Sequence, residues 1–159
     1  DLNAGPVTME QLINVYPFPD NLTVIELSGK QVRELIEYSL TLPYGVGQIS
    51  GLTIQFDSTQ PKMQRLLSIQ LGNTELVDTQ KYTVSTSAYV AKGGDGYTIF
   101  TEGKTIDDKQ DMPDALYKGF NTVFNIDLPA TNRQIDLSKV KSAPKEENLP
   151  AQNLLADHQ

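Results

Sequence analysis

The chain has 159 residues, 38% of them hydrophobic and 21% charged, which supports one packed domain and leaves too little length for two comfortable ones. A net charge of -7 and a pI near 4.6 argue against a nucleic-acid polymer as partner, because phosphate backbones are held by clustered Lys and Arg. With no cysteine, disulfides, thiol nucleophiles and Cys-based metal sites are excluded.

From the N-terminus, Thr8-Met9-Glu10-Gln11 sets a hydroxyl cap three residues ahead of a Gln. Met9, Leu12, Ile13 and Tyr16 follow at helical spacing until Pro17 ends the run. Leu22 to Leu27 is aliphatic and β-branched, a strand. Ser28-Gly29-Lys30-Gln31 repeats the capping pattern, and Val32, Leu35, Ile36 and Leu40 form one apolar face of a helix that covers a sheet. Leu42 to Ser50 reads as loop, and Leu52, Ile54 and Phe56 alternate as a half-buried strand.

Asp57 to Pro61 turns the chain, and Leu67, Ile69 and Leu71 alternate again. Gly72-Asn73 is a turn and Tyr82 to Thr86 a further strand, so three or more strands are expected to follow one another by hairpins. Pro113, after Asp111, opens a helix carrying Leu116, Phe120, Val123 and Phe124 on one face, and Arg133 to Leu137 can return as a last strand. This order predicts an α+β domain over 1–141, with helices packed on a mixed, largely antiparallel sheet or sheets. Residues 142–159 are polar and Pro-containing, a disordered tail or linker. Leu128-Pro129-Ala130-Thr131-Asn132 is read as loop.

Two segments carry the functional signal: Tyr16-Pro17-Phe18-Pro19-Asp20-Asn21, and Tyr89 to Tyr97 with its Gly93-Gly94-Asp95-Gly96 core. Each sets an aromatic ring beside a carboxylate or amide on irregular backbone, as a pocket for a planar base and a sugar requires. Each also has a bland reading. A Phe after a short helix is more often a core plug, and a Gly-rich tetrad more often a plain turn. A phosphate-cradling loop is rejected, because no Lys-Ser/Thr follows the glycines. Of the turn carboxylates Asp20, Asp57, Asp78, Asp95, Asp107 and Asp108, most are explained by bonds to nearby backbone. Asp95, exposed by three glycines, is the exception. The single histidine, His158, lies in the presumed tail, so no His-based triad, metal site or general base is expected.

Ala4 to Thr8, Tyr16 to Leu22, Glu26-Leu27-Ser28-Gly29, Ile49-Ser50-Gly51-Leu52 and Ala91 to Tyr97 occur in the order of one known family. From Ala4 to Ser138 the chain resembles the C-terminal domain of bacterial 5'-nucleotidases and the related 2',3'-cyclic-nucleotide 2'-phosphodiesterase/3'-nucleotidases. The resemblance implies a secreted, cell-wall-associated or periplasmic enzyme. A preceding calcineurin-like metallophosphoesterase domain would carry two divalent metals, such as zinc or manganese, and the catalytic His/Asp pair. It implies no catalytic residue and no metal or cofactor in this piece, which is expected to be inactive alone and cut from something longer.

By the same resemblance Phe18 and Tyr89 sandwich a base, Asp95 bonds the ribose hydroxyls within the Gly93-Gly94 loop, and Gly45 or Gly47 lines the base pocket. Asp20 stands where the family commonly has Asn and Asn21 follows it, and both are counted with the substrate-binding residues. The family's phosphate-binding arginines lie upstream of Ala4, so Arg33, Arg65 and Arg133 are not given that role. The partners implied are a nucleotide or nucleoside and the covalently preceding domain, with no membrane insertion. The competing reading is a stand-alone nucleoside-binding or adhesion module without catalysis.

Overall fold

The computed structural model describes residues 5–122 and 132–140. Two capping boxes start the first two helices. The Thr8 hydroxyl accepts the Gln11 N–H at the head of α1 (Met9–Val15), and Ser28 does the same with Gln31 for α2 (Gly29–Ser39). In each, the Gln side chain takes the cap residue's own N–H in return, so donors that a helix start leaves unpaired are satisfied locally.

Two sheets share one core. β1 (Asn21–Ser28) lies between β5 (Lys81–Ser87) and β6 (Lys104–Asp111), antiparallel to both. The second sheet runs β4 (Thr74–Glu75), β3 (Leu66–Leu71), β2 (Thr53–Phe56), β7 (Gln134–Asp136), with β2 and β7 parallel. Ile25 and Leu27 of β1, Ile54 and Phe56 of β2 and Ile69 of β3 form one buried cluster with Val32, Leu35, Ile36 and Leu40. The apolar stripe of α2 therefore joins both sheets, and its final turn is held rigidly by that packing.

The expected run of hairpins holds only for β2, β3 and β4. After Glu75 the buried Leu76 carries the chain across, and β5 joins the other sheet beside β1. The crossing is fixed at the start of α2, where Gly29 N–H donates to Gln80 O at 2.9 Å and Lys30 N–H to Asp78 O at 3.0 Å.

β6 had no signal in the sequence. Its residues, Lys104-Thr-Ile-Asp-Asp-Lys-Gln-Asp111, are almost all exposed, so neither face imposes apolar alternation. Pairing with β1 makes it a strand, and its charges protect an open edge. It leads into α4 (Met112–Thr122), whose first turn holds the predicted Pro113. Val123 and Phe124, most of the 128–132 loop, and the tail from Ser142 lie outside the described residues.

At the junction of β7 and α5 (Leu137–Val140), Asp136 is nearly buried. Its Oδ1 accepts the Ser138 hydroxyl at 2.7 Å and the Ser138 and Ser58 N–H groups at 3.2 and 3.3 Å. Oδ2 makes no hydrogen bond among the described residues, although Lys139 Nζ stands 3.7 Å away. Burial pushes this carboxyl up, but bonds from Ser138 and Ser58 outweigh it and bring its pKa down to about 2. A depressed carboxyl stabilises the fold above its unfolded value, near 4, and loses that contribution as pH falls through about 2. Asp136→Asn is therefore expected to cost about 2 kcal/mol at pH 7. The gap from wild type in urea unfolding should close as pH falls from about 4 to about 2.

Candidate functional site: two exposed rings and a glycine-held carboxylate

The chain leaves α1 through Tyr16 and doubles back so that Asp20 N–H donates to Phe18 O at 2.9 Å. Asp20 Oδ1 accepts the Asn21 N–H at 2.9 Å. Its Oδ2 accepts the Tyr89 N–H at 3.1 Å and the Tyr16 hydroxyl at 3.3 Å. Tyr89 stands in the first turn of α3 (Ala88–Ala91), capped by Ser87, so Asp20 satisfies a donor that the short helix leaves open.

Burial raises the Asp20 pKa, but the N–H groups of Tyr89 and Asn21 and the hydroxyls of Ser87 and Tyr16 together bring it below the usual carboxylate value. Asp20 is thus a charged staple between the two sequence segments. The Asn21 side chain donates to Asp108 O at 2.8 Å and is tied to β6.

Neither ring is a core plug. Phe18 is 61% exposed and Tyr89 57% exposed, each supported from one side. Tyr16 meets Phe18 edge-on, with centroids 5.4 Å apart. Gly94 lies so close against Tyr89 that a Cβ there would fall 2.5–2.6 Å from three of the ring carbons. The Tyr89 hydroxyl donates to Asp95 Oδ1 at 3.1 Å, fixing the ring relative to the carboxylate.

Asp95 is exposed and left-handed (φ 51°, ψ 21°), between Gly93 at φ 89° and Gly96 at φ 83°. A non-glycine residue in this region is uncommon, and Asp tolerates it better than most. The turn closes through Gly96 N–H to Gly93 O (3.2 Å) and Tyr97 N–H to Gly94 O (3.1 Å), while the Tyr38 hydroxyl donates to Asp95 O at 2.8 Å. Asp95 Oδ2 makes no hydrogen bond among the described residues, so acceptor capacity remains for a ligand hydroxyl. By contrast, Asp57 and Asp107 accept backbone N–H groups two residues on, the bland role expected of them.

Gly45 and Gly47 belong to a third segment. Gly45 (φ 100°) is exposed, and a Cβ there would meet nothing within 4 Å. Gly47 is packed: its N–H donates to the buried Ser39 Oγ at 2.8 Å, and its carbonyl accepts from Gln134 Nε2 at 2.7 Å. Beneath this loop a cavity of about 320 Å³ is lined by Leu35, Ser39, Gly47, Val84, Val90 and Tyr97. Phe18, Tyr89 and Asp95 do not line it and stand on the surface outside. The structure leaves both rings and Asp95 exposed, and it adds Tyr38 and Ser39, which the sequence did not single out. A lone Tyr-Ser at the end of a helix carries no pattern that singles it out.

Among the described residues no group of three or more His, Cys, Asp or Glu side chains could hold a metal. Nor is any described helix long and apolar enough to cross a membrane. Two flat rings and an open carboxylate can position a ligand.

The family whose model is described as 5'-nucleotidase, C-terminal domain, matches residues 1–102, which contain both rings, Asp20 and the glycine loop. The chain belongs to this family.

It is similar to the trifunctional nucleotide phosphoesterase protein YfkN of Bacillus subtilis (strain 168), with 33% identity over 110 residues, covering 64% of the chain and 8% of that protein. It is likewise similar to an apyrase of Tabanus yao, with 30% identity over 118 residues, covering 65% of the chain and 21% of that protein. The chain thus spans about a fifth or less of these two relatives. Among solved structures, the 5'-nucleotidase precursor from Thermus thermophilus has the same fold: TM-score 0.76 and 23% identity, covering 83% of the chain and 28% of that structure. The α+β architecture is that of these domains, and the chain is part of a hydrolase family.

Proposed function

We propose that this domain holds and positions a nucleotide or nucleoside for a phosphohydrolase active site on a domain that precedes it in the intact protein. The base is stacked between Phe18 and Tyr89, and the Asp95 carboxylate accepts hydrogen bonds from the ribose hydroxyls. The observation that carries this reading is the hydrogen bond from the Tyr89 N–H to Asp20, which ties the Phe18 loop to the backbone that carries the exposed ring of the second segment. Stacking on aromatic faces contributes ~1–3 kcal/mol per base and accepts any base, so broad base tolerance follows.

The described side chains include no group of three or more His, Cys, Asp or Glu that could hold a metal ion. The two metals and the His/Asp pair are assigned to the preceding domain, and this domain contributes orientation of the substrate. The protein is assigned to the cell exterior, cell wall or periplasm, where 5'-, 3'- or 2',3'-cyclic nucleotides would be degraded.

An NMR titration of the chain with adenosine and AMP tests this. Shifts at the Phe18 ring and the Tyr89 and Asp95 amides are expected in the millimolar range. Removing both sugar hydroxyls, as in 2',3'-dideoxyadenosine, should weaken binding by ~10-fold or more, the worth of bonds to a charged acceptor. No response to millimolar adenosine, or equal binding of the dideoxy analogue, would refute the assignment.

A further inference from the structure

Two neighbouring residues at the end of α2 reach two different loops. Tyr38 Oη donates to Asp95 O at 2.8 Å, and it can come this close only because residue 96 is glycine: a Cβ on Gly96 would collide with that hydroxyl. Ser39 Oγ accepts the Gly47 N–H at 2.8 Å and lies 3.2 Å from the Tyr97 hydroxyl that donates to it. Tyr38 and Tyr97 in turn pack edge-on, with centroids 5.1 Å apart at 79°. The glycine–aspartate loop and the 42–48 loop are thus joined through a single helical turn.

Both loops are irregular and would be soft by themselves, and Asp95 holds a left-handed conformation that persists only where its surroundings over-determine it. α2 is anchored in the core by Val32, Leu35, Ile36 and Leu40. It can therefore lend rigidity to segments that lack it.

We propose that Tyr38 and Ser39 are positioning residues that hold Asp95 in place for the ligand sugar and couple its loop to the 42–48 loop. Tyr44, exposed on that second loop, lies within electrostatic reach of the cluster: desolvation first, then the charge of Asp95 and the phenols of Tyr38, Tyr97 and Tyr89, push its hydroxyl pKa up. Through the Tyr38 and Ser39 bonds, a ligand seated on Asp95 would also order the segment carrying Gly45 and Gly47. The role as a ligand-positioning device rests on the nucleoside-binding reading above, whereas the coupling of the loops does not.

The test uses Tyr38→Phe and Ser39→Ala in the full 159-residue chain. Tyr38→Phe removes one hydroxyl that bonds only within the glycine–aspartate loop. Faster amide exchange, by about 5- to 10-fold, is expected at Gly96 and Tyr97 and also at Gly47, across the turn, with the urea midpoint unchanged. Ser39→Ala should accelerate Gly47 and carry over to Gly96 and Tyr97. Adenosine affinity should fall about 10-fold in Tyr38→Phe. Exchange effects confined to the loop that is touched, or affinity falling only in step with the urea midpoint, would overturn the proposal. A wild-type chain that binds no adenosine would refute the nucleoside reading, while the exchange data would still decide whether the loops are coupled.

Discussion

Phe18→Ala and Tyr89→Ala are each expected to weaken adenosine binding by ~1–3 kcal/mol, with no comparable loss of stability. The two halves of this expectation have separate causes. Both rings are more than half exposed, so truncating them opens no core cavity. Their value lies in the flat surface they offer. If both grip the same base the effects must be non-additive, because a base that has lost one face is no longer held against the other. The double variant should then be little worse than the poorer single variant. Parallel NMR titrations and urea unfolding of the three variants measure this. Additive losses would mean the rings act separately, and unchanged affinity in both single variants would dismiss the sandwich. The Asp20 staple gives a physical reason for cooperation, since it fixes the first loop to the Tyr89 backbone before any ligand arrives.

Gly29→Ala should be among the most damaging small substitutions in the chain. A Cβ at this buried position would run into the Val77 carbonyl group and come within 3.0 Å of Asp78 Cα. These are backbone atoms, so no side chain can swing aside. The same turn accepts the Gly29 and Lys30 N–H groups through Gln80 O and Asp78 O. Pushing it away both opens the start of α2 and strains the crossing from β4 to β5. The expected cost is about 3 kcal/mol, a large part of the roughly 5–15 kcal/mol that holds a domain together. Urea unfolding at constant slope measures it. Gly119→Ala is the control: it lies in exposed α4 with nothing within 4 Å of a Cβ, and should be neutral or stabilising by up to about 1 kcal/mol. A Gly29→Ala chain as stable as wild type would contradict this packing.

Much of the fold was legible because its signals are local. The two capping boxes, the aliphatic run of β1, the alternation in β2 and β3 and the apolar stripe of α2 are all set by residues a few positions apart. The two aromatic segments were legible for the same reason: ring, carboxylate and glycines are contiguous. β6 was not, because an edge strand exposed on both faces needs no pattern of its own. Likewise, nothing in Tyr82 to Thr86 marks which of two sheets the strand will join.

By itself, the sequence marked Phe18, Tyr89 and Asp95 as candidates to meet a ligand, from their chemistry on irregular backbone. Only the tertiary structure decided how they are held. Asp20 proved to be a staple to the Tyr89 N–H, Asn21 a tie to β6, and Tyr38 with Ser39 the anchor of two loops. These are hydrogen bonds between groups distant in the chain. Those of Asp20 and Asn21 follow from pairing β1 with β5 and β6, and those of Tyr38 and Ser39 from packing α2 into the core, so no short stretch of residues encodes them.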